Sequence, residues 1–118
     1  MLCRDAGLSD RSGQIAAKRV RDYATNLGLD LTKHRSQQVT LKDCQWAKVI
    51  LYMDGGNLKR IQNQFPEHAN KGICLASYIG KTRLADPNYL SGQELQDSLD
   101  DVREASYAFC QEYQDGKI

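Results

Sequence analysis

The chain has 118 residues, a formal charge of +1, 41% hydrophobic and 26% charged residues. That suffices for one core and is short for two. The balanced charge gives no nucleic-acid footprint, and no apolar run approaches the roughly 20 residues of a membrane span.

Residues 1–7 allow a short strand, and residues 7–13 (Gly-Leu-Ser-Asp-Arg-Ser-Gly) read as a loop. Ser12 is placed to cap a helix whose apolar face is Ala16, Val20, Tyr23, Ala24 and Leu27, with Gly28 as its stop. Thr40 with Asp43 predicts a second, short helix running to about Ala47. Residues 48–53 (Lys-Val-Ile-Leu-Tyr-Met) form a continuous apolar run, the pattern of a strand buried on both faces. Asp54-Gly55-Gly56 breaks it. A helix over 57–64 follows, with Leu58, Ile61 and Phe65 inward and Pro66 as its stop. Residues 72–78 (Gly-Ile-Cys-Leu-Ala-Ser-Tyr) predict another buried strand, and 79–90 a loop. Ser91 and Glu94 spell a capping box. Beyond it Leu95, Leu99, Val102, Ser106, Phe109 and Tyr113 step at helical spacing to an end near Gly116. Strands alternating with helices argue for an α/β domain with a parallel sheet, and nothing marks an interdomain linker. His68 reads as exposed loop, and Trp46 and Phe65 as core or partly buried anchors.

The four cysteines, at 3, 44, 74 and 110, have neither CxxC nor zinc spacing. Free thiols in a reducing, cytoplasmic compartment are expected, with no metal and no cofactor. Arg4 and Arg11 read as solvated charges, with an anion as the alternative partner.

The loop at 84–90 (Leu-Ala-Asp-Pro-Asn-Tyr-Leu) sets a carboxylate before a proline and an aromatic two residues beyond it. Taken with residues 28–40 (Gly-Leu-Asp-Leu-Thr-Lys-His-Arg-Ser-Gln-Gln-Val-Thr) and 49–54 followed by Asn57-Leu58, it resembles the low-molecular-weight protein-tyrosine phosphatases. The order and spacing of the three segments agree with that family, and the resemblance covers nearly the whole chain. It implies a three-layer αβα fold with a short parallel sheet. It also implies that residues 1–118 form a single truncated domain, without the family's first strand, Cys-x5-Arg phosphate loop and first helix. Six residues beyond each cysteine stand Ser9, Ile50, Gly80 and Gly116, so no such loop occurs in these residues.

In the resembled family a cysteine thiolate attacks phosphorus, and the loop's N–H groups and arginine hold the phosphoryl oxygens. The Asp-Pro aspartate protonates the leaving oxygen and then activates water. The resemblance assigns that acid/base role to Asp86, a fixed backbone to Pro87, and the wall against the substrate ring to Tyr89, with Asn88 beside it. Turn chemistry is the other reading of Asp86. The resemblance makes His34 a support of the phosphate loop, its partner standing at Asp5. A carboxylate at Asp5 repels a thiolate and a phosphate, which argues against a working loop. A backbone carbonyl is the alternative partner of His34.

The expectation is therefore a pseudophosphatase, inactive as this chain, that binds or regulates, its partners being phosphotyrosine proteins or a tyrosine kinase. The alternative is a protein-tyrosine phosphatase whose nucleophile loop lies upstream or comes from another chain. The resemblance places the missing strand centrally, and strands lie about 4.8 Å apart, so its loss leaves a gap of about 10 Å. Either residues 1–7 fill that gap, another chain completes the sheet, or the chain is a piece of a longer protein. Self-association is expected from the first two.

Overall fold

A computed structural model of the chain describes residues 3–8, 13–26 and 28–118, and of Asn88 only the backbone. The chain divides into two compact units, Met1–Lys48 and Val49–Ile118.

In the first unit, helix α1 spans Lys18–Asn26 and buries Val20 and Ala24. It starts later than Ser12 and Ala16 suggested, because the backbone just before it is engaged elsewhere. The Gly13 N–H donates to the Ser36 carbonyl (2.7 Å), and the Ser36 N–H to the Gln14 carbonyl (2.8 Å). Ser12, Arg11 and Leu27 lie outside the described residues. Gly28, at φ +81°, ends α1 as expected. Its N–H meets the Thr25 carbonyl and the Leu29 N–H that of Ala24, which satisfies two otherwise open acceptors.

Residues 3–6 form no regular strand. Gly7 makes a single parallel bridge to Gln38, donating to Gln37 (2.7 Å) and accepting from Val39 (2.8 Å). Helix α2, Leu41–Trp46, is closed by the predicted capping box between Thr40 and Asp43. Cys44 is its buried residue. Trp46, expected as a core or partly buried anchor, is 43% exposed, with the Arg4 guanidinium 4.0 Å from its ring centre.

In the second unit, strand β1, Ile50–Tyr52, pairs in parallel with β2, Gly72–Cys74, with Ile50 opposite Gly72. The narrowness of that pairing explains Gly72: a Cβ there would stand 3.1 Å from both the Tyr52 ring and the Ala69 carbonyl. Both strands are shorter than the apolar runs suggested. After Cys74 the chain turns into a 3₁₀ helix, Leu75–Ile79, that ends on Gly80 at φ +70°. Nor is β1 buried on both faces, since Leu51 is 37% exposed, and Met53 just beyond the strand is 39% exposed.

Between the strands runs α3, Gly55–Gln64, which buries Ile61. It begins two residues before the predicted start because Asp54 is its N-cap, accepting from the Asn57 N–H. A 3₁₀ helix over Pro66–Lys71 follows, in which His68 is half-buried rather than exposed.

Helix α4, Gly92–Gln114, closes the unit. Its inner face joins Leu75, Ala76 and Leu84 in a core that includes Ala105 and Phe109. The expected capping box is not made: the Ser91 side chain caps nothing, and the first helical residue, Gly92, has φ +57°. A left-handed first residue disturbs the geometry in which an N-cap hydroxyl meets the third amide. The parallel sheet and the alternating elements are those of an α/β protein.

Candidate functional site

The predicted site residues fall in both units. In the first, the structure brings His34 and Asp5 together: imidazole Nε2 lies 2.9 Å from the Asp5 carboxylate. The two are held there from both ends of the pairing. Gly7, two residues after Asp5, bridges to Gln38, and the His34 N–H donates to the Leu31 carbonyl. Asp30 accepts from both the hydroxyl and the N–H of Thr32, and those bonds lower its carboxyl below the usual value. Arg4 also has protein partners, Asp43 at 3.4 Å and the Trp46 ring. An ionised carboxylate only accepts, so in this contact the imidazole Nε2–H is the donor.

In the second unit the loop from Gly80 to Leu90 carries Asp86, Pro87, Asn88 and Tyr89. Pro87–Tyr89 is one 3₁₀ turn. It is closed by the Tyr89 N–H on the Asp86 carbonyl (3.3 Å) and the Leu90 N–H on that of Pro87 (3.2 Å). Pro87 restricts the conformation of the residue before it, so the turn begins from a defined geometry. Asp86 is exposed and Tyr89 is 85% exposed. An aromatic ring so open to water next to a surface carboxylate contributes little to any core.

The loop itself is well anchored. Leu84 is buried, and its N–H donates to the Met53 carbonyl at the end of β1 (2.9 Å). The Lys81 ammonium meets Asp101 of α4 at 2.6 Å. The Ser98 hydroxyl of α4 donates to the Ala85 carbonyl at 3.0 Å. Between loop and helix lies a shallow depression of about 300 Å³ lined by Ala85, Leu90, Glu94, Asp97, Ser98 and Asp101. Among the described residues no three His, Cys, Asp or Glu side chains are grouped to hold a metal ion. Cys3, Cys44, Cys74 and Cys110 are free thiols: Cys44 is buried, Cys74 and Cys110 are half-buried, and Cys3 is exposed. No described helix is long and apolar enough to cross a membrane.

The contact of Ser98 with the loop is not legible from the loop motif. Its signal is a polar residue within the apolar stripe Leu95, Val102, Ala105 and Phe109.

Residues 1–117 match the family described as low molecular weight phosphotyrosine protein phosphatase. The chain belongs to that family. One curated relative of this phosphatase family, the probable low molecular weight protein-tyrosine-phosphatase EpsP of Ralstonia nicotianae, is 30% identical over 82 residues. That match takes in 70% of this chain and 56% of the relative, so the chain spans little more than half of that protein's length. Solved phosphatase structures share the fold. The YwlE arginine phosphatase of Geobacillus stearothermophilus superposes with a TM-score of 0.86 at 22% identity, covering 97% of this chain and 75% of that one. A protein tyrosine phosphatase of Entamoeba histolytica gives 0.85 at 23% identity, with 99% and 76% covered. The tyrosine phosphatase AmsI of Erwinia amylovora gives 0.82 at 23%, with 90% and 70% covered.

Proposed function

We propose that these 118 residues carry the acid/base part of a protein-tyrosine phosphatase site and act by binding, without hydrolysing phosphoesters on their own. The observation that carries the reading is the exposed Asp86 on a proline-locked turn beside the open ring of Tyr89. The acid/base part is Asp86, which would give its proton to the oxygen of a departing tyrosine and take one from water only where a Cys-x5-Arg loop supplies the nucleophile. Tyr89 offers its face to the phosphotyrosine ring. The nucleophile and the phosphate cradle are absent from the 118 residues, which hold no Cys-x5-Arg. The partners implied are phosphotyrosine proteins or a tyrosine kinase. Four free thiols support a reducing, cytoplasmic setting.

A second reading is an active protein-tyrosine phosphatase, its Cys-x5-Arg loop supplied by residues outside these 118 or by another chain. One observation favours it. His34 Nε2 lies 2.9 Å from the Asp5 carboxylate, the contact that a loop-supporting histidine and its partner would make in that reading.

Hydrolysis of p-nitrophenyl phosphate separates the two. The purified 118-residue chain is expected to show no turnover above buffer, and turnover by that chain alone would overturn the first reading. In a protein that also carries a Cys-x5-Arg loop, turnover that Asp86→Asn lowers by roughly 10²–10⁴-fold would establish the second.

A further inference from the structure

The acid/base assignment of Asp86 rests on the reading above, and the structure adds a residue that neither the motif nor the family match points to. We propose that Ser98 is the positioning residue of Asp86, acting through the carbonyl of Ala85.

Along α4 the inward positions are Leu95, Ser98, Val102, Ala105 and Phe109, spaced three and four apart. Four of the five are apolar. Ser98 is only 6% exposed, the buried polar side chain among the described residues. A buried hydroxyl without a partner is costly, and a serine within a helix ordinarily finds one in the preceding turn. This hydroxyl reaches across to another element and donates to Ala85 at 3.0 Å.

The acceptor's position gives the bond its consequence. The Ala85 carbonyl shares a rigid peptide plane with the Asp86 N–H, so holding that oxygen sets the orientation of the backbone entering Asp86. On the other side the ring of Pro87 fixes the following backbone, and Tyr89 closes the turn on the Asp86 carbonyl. Asp86 is thus bracketed by two restrained peptide planes. Lys81 ties the same loop to Asp101, three residues along the helix from Ser98. An acid that must meet a leaving oxygen within hydrogen-bond reach gains from this restraint.

The test compares Ser98→Thr with Ser98→Val in the full 118-residue chain. The two side chains have nearly the same shape, and one keeps the hydroxyl. Amide hydrogen exchange of Asp86, Tyr89 and Leu90 is expected to be about fivefold faster in the valine variant than in the threonine variant, the worth of one ordinary hydrogen bond. Exchange at Ala105 and Phe109 should be the same in both. Equal exchange of the loop amides in the two variants would overturn the proposal. Ser98→Ala, which adds no volume, guards against a shared packing defect: loop exchange unchanged from the parent would overturn the proposal as well. None of these readouts depends on catalysis. In a protein that also carries a Cys-x5-Arg loop, an Asp86→Asn substitution without effect on hydrolysis would remove the acid/base assignment and leave the exchange result standing.

Discussion

Arg4 illustrates how far a single side chain's role depends on its neighbours. From the sequence it was a solvated charge or an anion ligand. In the fold it lies over Trp46 and beside Asp43, so it covers an aromatic surface that would otherwise be more open. Asp43 is the more consequential partner, because its carboxylate also accepts from the N–H and hydroxyl of Thr40 while its own N–H donates to that hydroxyl. Those bonds to Thr40, and then Arg4, hold the Asp43 carboxyl below the ordinary value of 3.8. A carboxyl lowered in the folded state contributes stability that is complete above the unfolded value and fades as pH falls through the folded one. Amide protection in the first turn of α2 should therefore be constant at neutral pH and decline in acid below about pH 4. In Asp43→Asn that acid step should vanish. Thr40→Ala should cost about 1 kcal/mol at neutral pH, measured by urea unfolding. An acid step unaltered by Asp43→Asn would assign the decline to another carboxylate.

At the scale of elements, legibility followed the length and periodicity of each segment. Helix α4 could be read because six residues from Leu95 to Tyr113 keep the period over five turns. Even so, the buried set is shifted, with Ser98 and Ala105 inside where Leu99 and Ser106 were expected. Small side chains face the core where α4 packs closely against the 3₁₀ turn Leu75–Ile79, which periodicity alone does not reveal. The second apolar run was misjudged for a related reason. An unbroken run specifies burial but not backbone geometry, and here Leu75 and Ala76 are buried by a 3₁₀ turn instead of a longer strand. Asp86, Pro87 and Tyr89 were recognisable as a motif because the turn is local. Their anchorage was not, because Leu84–Met53 and Ala85–Ser98 join residues distant in sequence. Phe109 is the element-level test of this packing. It meets Tyr78 edge-on with ring centres 5.6 Å apart and lies in the core with Leu75, Ala76 and Leu84. Phe109→Ala should destabilise the second unit by about 3–5 kcal/mol. The loss should appear in urea unfolding followed through the second unit, and a change below about 1 kcal/mol would mean that α4 is not the lid of that core.

For the whole molecule, the central question is what meets the sheet. Parallel sheets are almost always covered on both faces, and two strands alone make a marginal sheet. Among the described residues β1 pairs with β2, and Leu51 and Met53 remain substantially exposed along an apolar run. The first unit also presents Ile15, Leu29 and Leu41 to solvent, each at least half exposed. Burying apolar area is worth about 25 cal/mol per Å², so surfaces of this kind favour association when a complementary partner is available. The solved phosphatases it resembles are each covered only to 70–76% of their length, so the fold in those proteins includes chain with no counterpart here. The purified 118-residue chain is accordingly expected to self-associate, with a light-scattering mass that rises with concentration. Leu51→Lys should place a charge on the exposed face of β1 and shift that rise to higher concentration, with helix content by circular dichroism unchanged. A chain that stays strictly monomeric at every concentration would show that β1 tolerates its exposure. Association indifferent to Leu51→Lys would move the contact to another surface, where Ile15 and Leu41 become the residues to substitute next.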